Sequence, residues 1–162
     1  MAISAGPNLT SSDGTTAQAA VGTIFEAGGA AWVYCKATAA AIAAYSVCSG
    51  ANYGVMEAAT TTTAAALGTA GGAACIPQFD VAASEYFWAL VGPFGLNPVD
   101  DTTTFKVLSA NTTAGNLLYS TATAGVVDDA STTALVGVTI TTTSTTQAAT
   151  PCTSWRRIGW VR

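Results

Sequence analysis

The chain has 162 residues, a formal net charge of −4 and 9% charged residues, against roughly 25% in an ordinary soluble domain. Its basic side chains are Lys36, Lys106, Arg156, Arg157 and Arg162, too few to neutralise a run of phosphates, so nucleic acid is not an expected partner. Histidine is absent, which excludes Ser-His-Asp and Cys-His catalysis, and no glycine-rich phosphate loop or nucleophile elbow occurs.

Residues 1–20 are small and polar and include Pro7 and Gly14. They read as an extended N-terminal arm that is either disordered or laid on a neighbouring subunit. The opening residues have no basic n-region, and no stretch of about 18 apolar residues follows. The expectation is therefore no signal peptide, no membrane partner and assembly in the cytoplasm.

From Val21 the texture changes. "GTIFEAGGAAWVYCKAT" offers two strand-like runs around Gly28-Gly29. In the second, Trp32, Tyr34 and Lys36 share one face and Val33, Cys35 and Ala37 the other, the period-two pattern of a strand. "AAAIAAYSVCSG" is ambiguous, with Tyr45 to Cys48 reading as strand. "MEAATTTTAAALGTAGGAA" reads as loop, because four consecutive threonines disfavour helix. In "EYFWALVGP", Tyr86, Trp88 and Leu90 alternate with Phe87, Ala89 and Val91. Both faces are apolar, as in a strand covered on both sides, and Gly92-Pro93 stops it.

The second half repeats this grammar. "FKVLSA" is a strand and "NTTAG" a turn. "NLLYSTATAGVV" is strand, small-residue turn, strand, with Leu117 and Tyr119 on one side and Leu118 on the other. "ALVGVTITTT" alternates again, and "SWRRIGWVR" closes the chain as a strand. Lys36 and Lys106 each open an Ala-rich stretch. "SVCSGANYGVMEA" and "NLLYSTATAGVVDD" fall in parallel at the same spacing, as do "EYFWALVG" and "SWRRIGWV". This reads as a diverged internal duplication. The fold expected is all-β, a β-sandwich or small β-barrel, with an arm at 1–20, a first β-module at 21–98 and a second at 99–162; a single compact domain is the alternative.

Cys35, Cys48, Cys75 and Cys152 are scattered, with no Cys-x-x-Cys and no histidine, so no zinc or other cofactor is expected. They read as buried small apolar residues, and a disulfide formed after release stays open. The carboxylate pairs Asp100-Asp101 and Asp128-Asp129 read as turn residues that cap their own backbone, with calcium as the alternative.

The weakly charged surface points to a subunit of an assembly. The candidate interface is the terminal strand: Trp155, Arg156, Arg157, Trp160 and Arg162. Trp and Arg dominate interface hot spots, and arginines in so neutral a chain would suit carboxylates on a partner. The alternative is that the tryptophans are core and the arginines solvated.

The segment "KVLSANTTAGNLLYSTATAGVVDDASTTALVGVTI" resembles a pattern found in small virion proteins of tailed bacteriophages. Its elements are Gly115, Leu118-Tyr119, Thr123-Ala124-Gly125 and Val136-Gly137-Val138, and "EYFWALVGP" resembles the aromatic strand before that pattern's central linker. The likeness is best over 105–140 and loose over 21–162; the cysteines, the Thr-rich 59–66 and the Arg-rich terminus fall outside it. The family it resembles is the capsid decoration, or cement, proteins. The resemblance implies a non-enzymatic β-protein on the capsid exterior of a virion, bound to the major capsid protein and to itself, most often as a trimer. The other readings are a tail or head–tail connector subunit, and a secreted carbohydrate-binding or adhesive β-domain.

Overall fold

The computed structural model describes residues 6–27, 30–50, 54–58, 73–93, 107–109, 113, 115–130, 133–140, 150–152 and 155–157. Among these every regular element is a strand: β1 Ile24–Ala27, β2 Ala30–Ala37, β3 Cys48–Gly50, β4 Val55–Ala58, β5 Ala73–Cys75, β6 Tyr86–Pro93, β7 Val107–Ser109, β8 Leu117–Ser120, β9 Val127–Asp128, β10 Thr133–Ile140, β11 Thr150–Cys152 and β12 Trp155–Arg157. The fold is all-β. One sheet draws all its strands from β1–β6 and the other from β7–β12.

β2 organises the first sheet. It pairs antiparallel with β6 over Ala30–Lys36, antiparallel with β1 over Ala30–Val33, and parallel with β4 at Lys36 and Ala37. β6 therefore takes one edge of β2, and β1 and β4 divide the other. β4 continues antiparallel to β3, and β3 to β5. Directly after β5, Ile76 exchanges two hydrogen bonds with Leu90 of β6, at 2.8 and 2.9 Å.

The alternation read from the sequence decides which face does what. Ala31, Val33, Cys35 and Ala37 of β2, with Phe87, Ala89 and Val91 of β6, join Ile42, Cys48, Met56, Cys75 and Val81 in one buried cluster. Fully burying a side chain such as Phe87 or Met56 contributes about 1.5–3 kcal/mol. The opposite face of the same two strands carries Trp32, Tyr34, Trp88 and Leu90, which are buried as well. Both faces are covered, as the apolar alternation of "EYFWALVG" requires.

In the second sheet β7 runs parallel to β9, β9 antiparallel to β8, β8 antiparallel to β10, and β11 antiparallel to β7. That is the order of pairings of β2, β4, β3, β5 and β6. Ile140↔Trp155 between β10 and β12 occupies the position of Ile76↔Leu90. The link from β4 to β5 is residues 59–72, and its counterpart from β9 to β10 is residues 129–132, so one constant spacing cannot align both halves to their ends. The strand that returns along the first of the set is β11, not the terminal run matched to "EYFWALVG" by spacing.

Three expectations are corrected. Met56–Ala58, read as the start of a loop, belongs to β4, a strand inserted between β2 and β3. Tyr45, read as strand, has a φ of 67° and sits in a turn, its N–H donating to the Pro77 carbonyl at 2.8 Å. The arm, where it is described, lies on its own chain: the Asp13 N–H donates to the Tyr86 carbonyl and the Tyr86 N–H to the Gly14 carbonyl, both at 2.8 Å. An edge strand with unpaired peptide groups is a better partner for a polar segment than water alone.

Candidate functional site

The terminal strand predicted as an interface forms β12. Trp155, Arg156 and Arg157 face Ile140, Thr139 and Val138 of β10, and β12 stands at the end of the second sheet's order. Trp160 and Arg162 lie outside the described residues.

The best-defined surface feature was missed by the sequence reading: an aromatic face of β2 and β6 with the N-terminal arm across it. Tyr34 and Tyr86 stack at 5.9 Å between ring centroids, Tyr34 and Trp88 meet at 5.0 Å, and Phe25 of β1 sets its edge against Trp88 at 6.1 Å. The Lys36 ammonium sits 5.2 Å from the centre of the Tyr86 ring, a cation–π contact. The arm closes over this face by hydrogen bonds. The Gln18 N–H donates to the Tyr34 hydroxyl oxygen at 2.9 Å, and the Ser12 hydroxyl donates to the Glu85 carboxylate at 2.6 Å. Burial raises the Tyr34 phenol above its ordinary 10.0, opposed by the Gln18 amide and reinforced by the Asp13 carboxylate beside it. The available signal was the pairing of Ser12-Asp13 with a strand whose aromatic residues fall on both faces.

The two halves touch at the small-residue turn. The Val47 N–H donates to the Gly125 carbonyl at 2.9 Å. Gly125 has a φ of 76° and is buried against Ser46. Val126 and Val127 follow it into the interior. Asp128 then serves its local backbone, while Asp129 reaches Thr113 and Asn116. Asp128 accepts from the Ala130 N–H at 3.2 Å; Asp129 accepts from the Thr113 N–H at 2.7 Å and from the Asn116 side-chain amide at 3.0 Å. Slight desolvation opposes ionisation of Asp129, but the Asn116 and Thr113 bonds outweigh it and hold the carboxyl below its ordinary 3.8. These carboxylates cap a turn. Asp100-Asp101 lies outside the described residues.

Cys35, Cys48 and Cys75 are buried free thiols. Cys48 and Cys75 are directly opposed between β3 and β5, and Cys75 also hydrogen-bonds Cys35. The Cys75 bond and burial push the Cys35 thiol far up, and burial does the same for Cys75. Cys35 and Cys75 thus hold their protons and pack as small core groups. Among the described residues no group of three His, Cys, Asp or Glu side chains is placed to hold a metal ion.

No protein-family model, curated protein or solved structure matches this chain.

Proposed function

We propose that this chain is a virion structural protein that decorates the outer surface of a capsid shell, binds the major capsid protein, self-associates and catalyses nothing. The observation that carries the reading is the 9% charge of the sequence. A surface built of Ala, Thr, Ser and Gly carries little of the electrostatic repulsion that keeps soluble monomers apart. The resemblance over 105–140 supplies the kind of assembly. The described polar groups support it from another side: Asp128, Asp129 and Glu85 are engaged by neighbouring backbone or side chains, so their visible work is structural.

The same proposal gives the molecule two related β-modules, each a small barrel. In the first, β2, β4, β3, β5, Ile76 and β6 form a ring of pairings; in the second, β7, β9, β8, β10 and β12 follow the same path, with β11 on β7. The repeated pairing order supports descent of both from one unit.

The test is co-sedimentation of the purified chain with shells that lack it. Saturable binding to assembled shells, and none to unassembled capsid protein, is the expected result. No binding to either would defeat the reading.

A further inference from the structure

β1 ends the first sheet: it pairs with β2 and, among the described residues, with no other strand. Its outward backbone is defined by the hydrogen bonding of β2. The Tyr34 N–H donates to the Thr23 carbonyl at 2.9 Å, so alternate residues of β2 turn their peptide groups toward β1. By the antiparallel pattern, Phe25↔Trp32 is a hydrogen-bonded pair. Ile24 and Glu26, both exposed, therefore turn N–H and C=O away from β2, where no described strand pairs with them.

The side chains at this edge are unlike those elsewhere. The large hydrophobic residues exposed among the described ones are Val21 at 46%, Ile24 at 45%, Phe25 at 36% and Val55 at 54%. Val21, Ile24 and Phe25 lie on or beside β1, and Val55 opens β4 on the same edge of β2. Edge strands are normally guarded by lysine, proline or a bulge. β1 reads IFEA, with neither lysine nor proline. Unpaired donors and acceptors alternating along an apolar edge match the chemistry of another strand.

We propose that β1 is a self-association strand through which two copies of this chain join their first sheets antiparallel about a two-fold axis. The register follows from the outward groups. Ile24 of one copy exchanges its N–H and C=O with Glu26 of the second copy, and the reverse. Phe25 then faces its own counterpart across a non-hydrogen-bonded pair, where Cα atoms approach to about 4.5 Å. Each Phe25 ring lies on the face where it already meets Trp88. The two Glu26 carboxylates fall on a diagonal rather than opposite one another, and each directly faces Ile24. This register is self-complementary, as a closed two-fold interface requires. The inference does not rest on the virion reading, and its two-fold pairing differs from the three-fold assembly implied by the resemblance.

Sedimentation equilibrium of the intact chain tests it. The expected mass is twice the 16.1 kDa of one chain. Glu26→Pro removes an outward N–H without touching a bond to β2, and Ile24→Lys installs a guard; each is expected to yield monomer with the far-UV circular dichroism unchanged. Should Glu26→Pro lose the fold, Ile24→Lys decides. A monomeric or trimeric parent chain, or a dimer that survives Ile24→Lys, overturns the proposal.

Discussion

Gly125 is fixed by two independent constraints. Its φ of 76° is left-handed, and an added Cβ would collide with the Cβ and Oγ of Ser46 and stand 3.1 Å from its Cα. Gly115 shares the first constraint, at a φ of 87°, but faces open space. Gly115→Ala should therefore cost about 1–2 kcal/mol, the left-handed penalty alone, whereas Gly125→Ala should cost roughly 2–4 kcal/mol once overpacking is added. Urea denaturation of the two variants checks the order, and equal losses would refute the close approach. The buried thiols give a second prediction. Cys35 and Cys75 bind their protons more tightly folded than unfolded. Their contribution is complete below the ordinary thiol value of 9.0 and drains as pH rises above it. Tyr34 adds a drain of the same sign above its ordinary 10.0. Stability measured from pH 8 to 11 should fall, and the fall should be shallower in Cys75→Ser, whatever that variant's starting stability. An identical slope would show that the thiols are not held neutral by the core.

At the scale of elements, legibility followed side-chain size. β2 and β6 were readable because large apolar residues alternate in them, and period two is visible where both faces carry bulk. β4 and β5 were not. "VMEA" and "AAC" are too short and too Ala-rich for periodicity to register, and their places are set by hydrogen bonding to β2 and β3. Tyr45 reads as strand by propensity, but the Pro77 carbonyl draws its N–H into a turn. β11 holds Pro151, which a central strand would not admit; it stands at the end of its sheet's order, where proline is tolerated. The arm's docking was hidden because it runs largely through backbone groups, such as the Asp13 and Gln18 N–H, which any residue supplies. Of the predicted interface, the strand itself was legible, and Trp155–Arg157 pair with β10. Arg156→Ala or Arg157→Ala should weaken co-sedimentation with shells while the melting temperature holds. If neither does, β12 is not the capsid contact.

For the whole molecule, the repeated order of pairings is the widest regularity. In a sequence this rich in Ala and Thr, two halves of one composition resemble each other by chance, and the unequal connections at 59–72 and 129–132 break the constant spacing on which a duplication is read. The pairing order is insensitive to both. Buried thiols, carboxylates engaged by neighbouring groups and few charges suit the building block proposed above, and the segment "AGNLLYSTATAGVVDD" meets the first half of the chain where the Val47 N–H donates to the Gly125 carbonyl. The central claim is that this building block covers a capsid. The most direct measurement is electron cryomicroscopy of purified particles from cells in which this chain is expressed with its neighbouring genes. The account predicts density for the chain on the outer surface of the shell, lost when its gene is deleted. Particles whose outer surface is unchanged by that deletion, with the chain absent from their protein content, would contradict it.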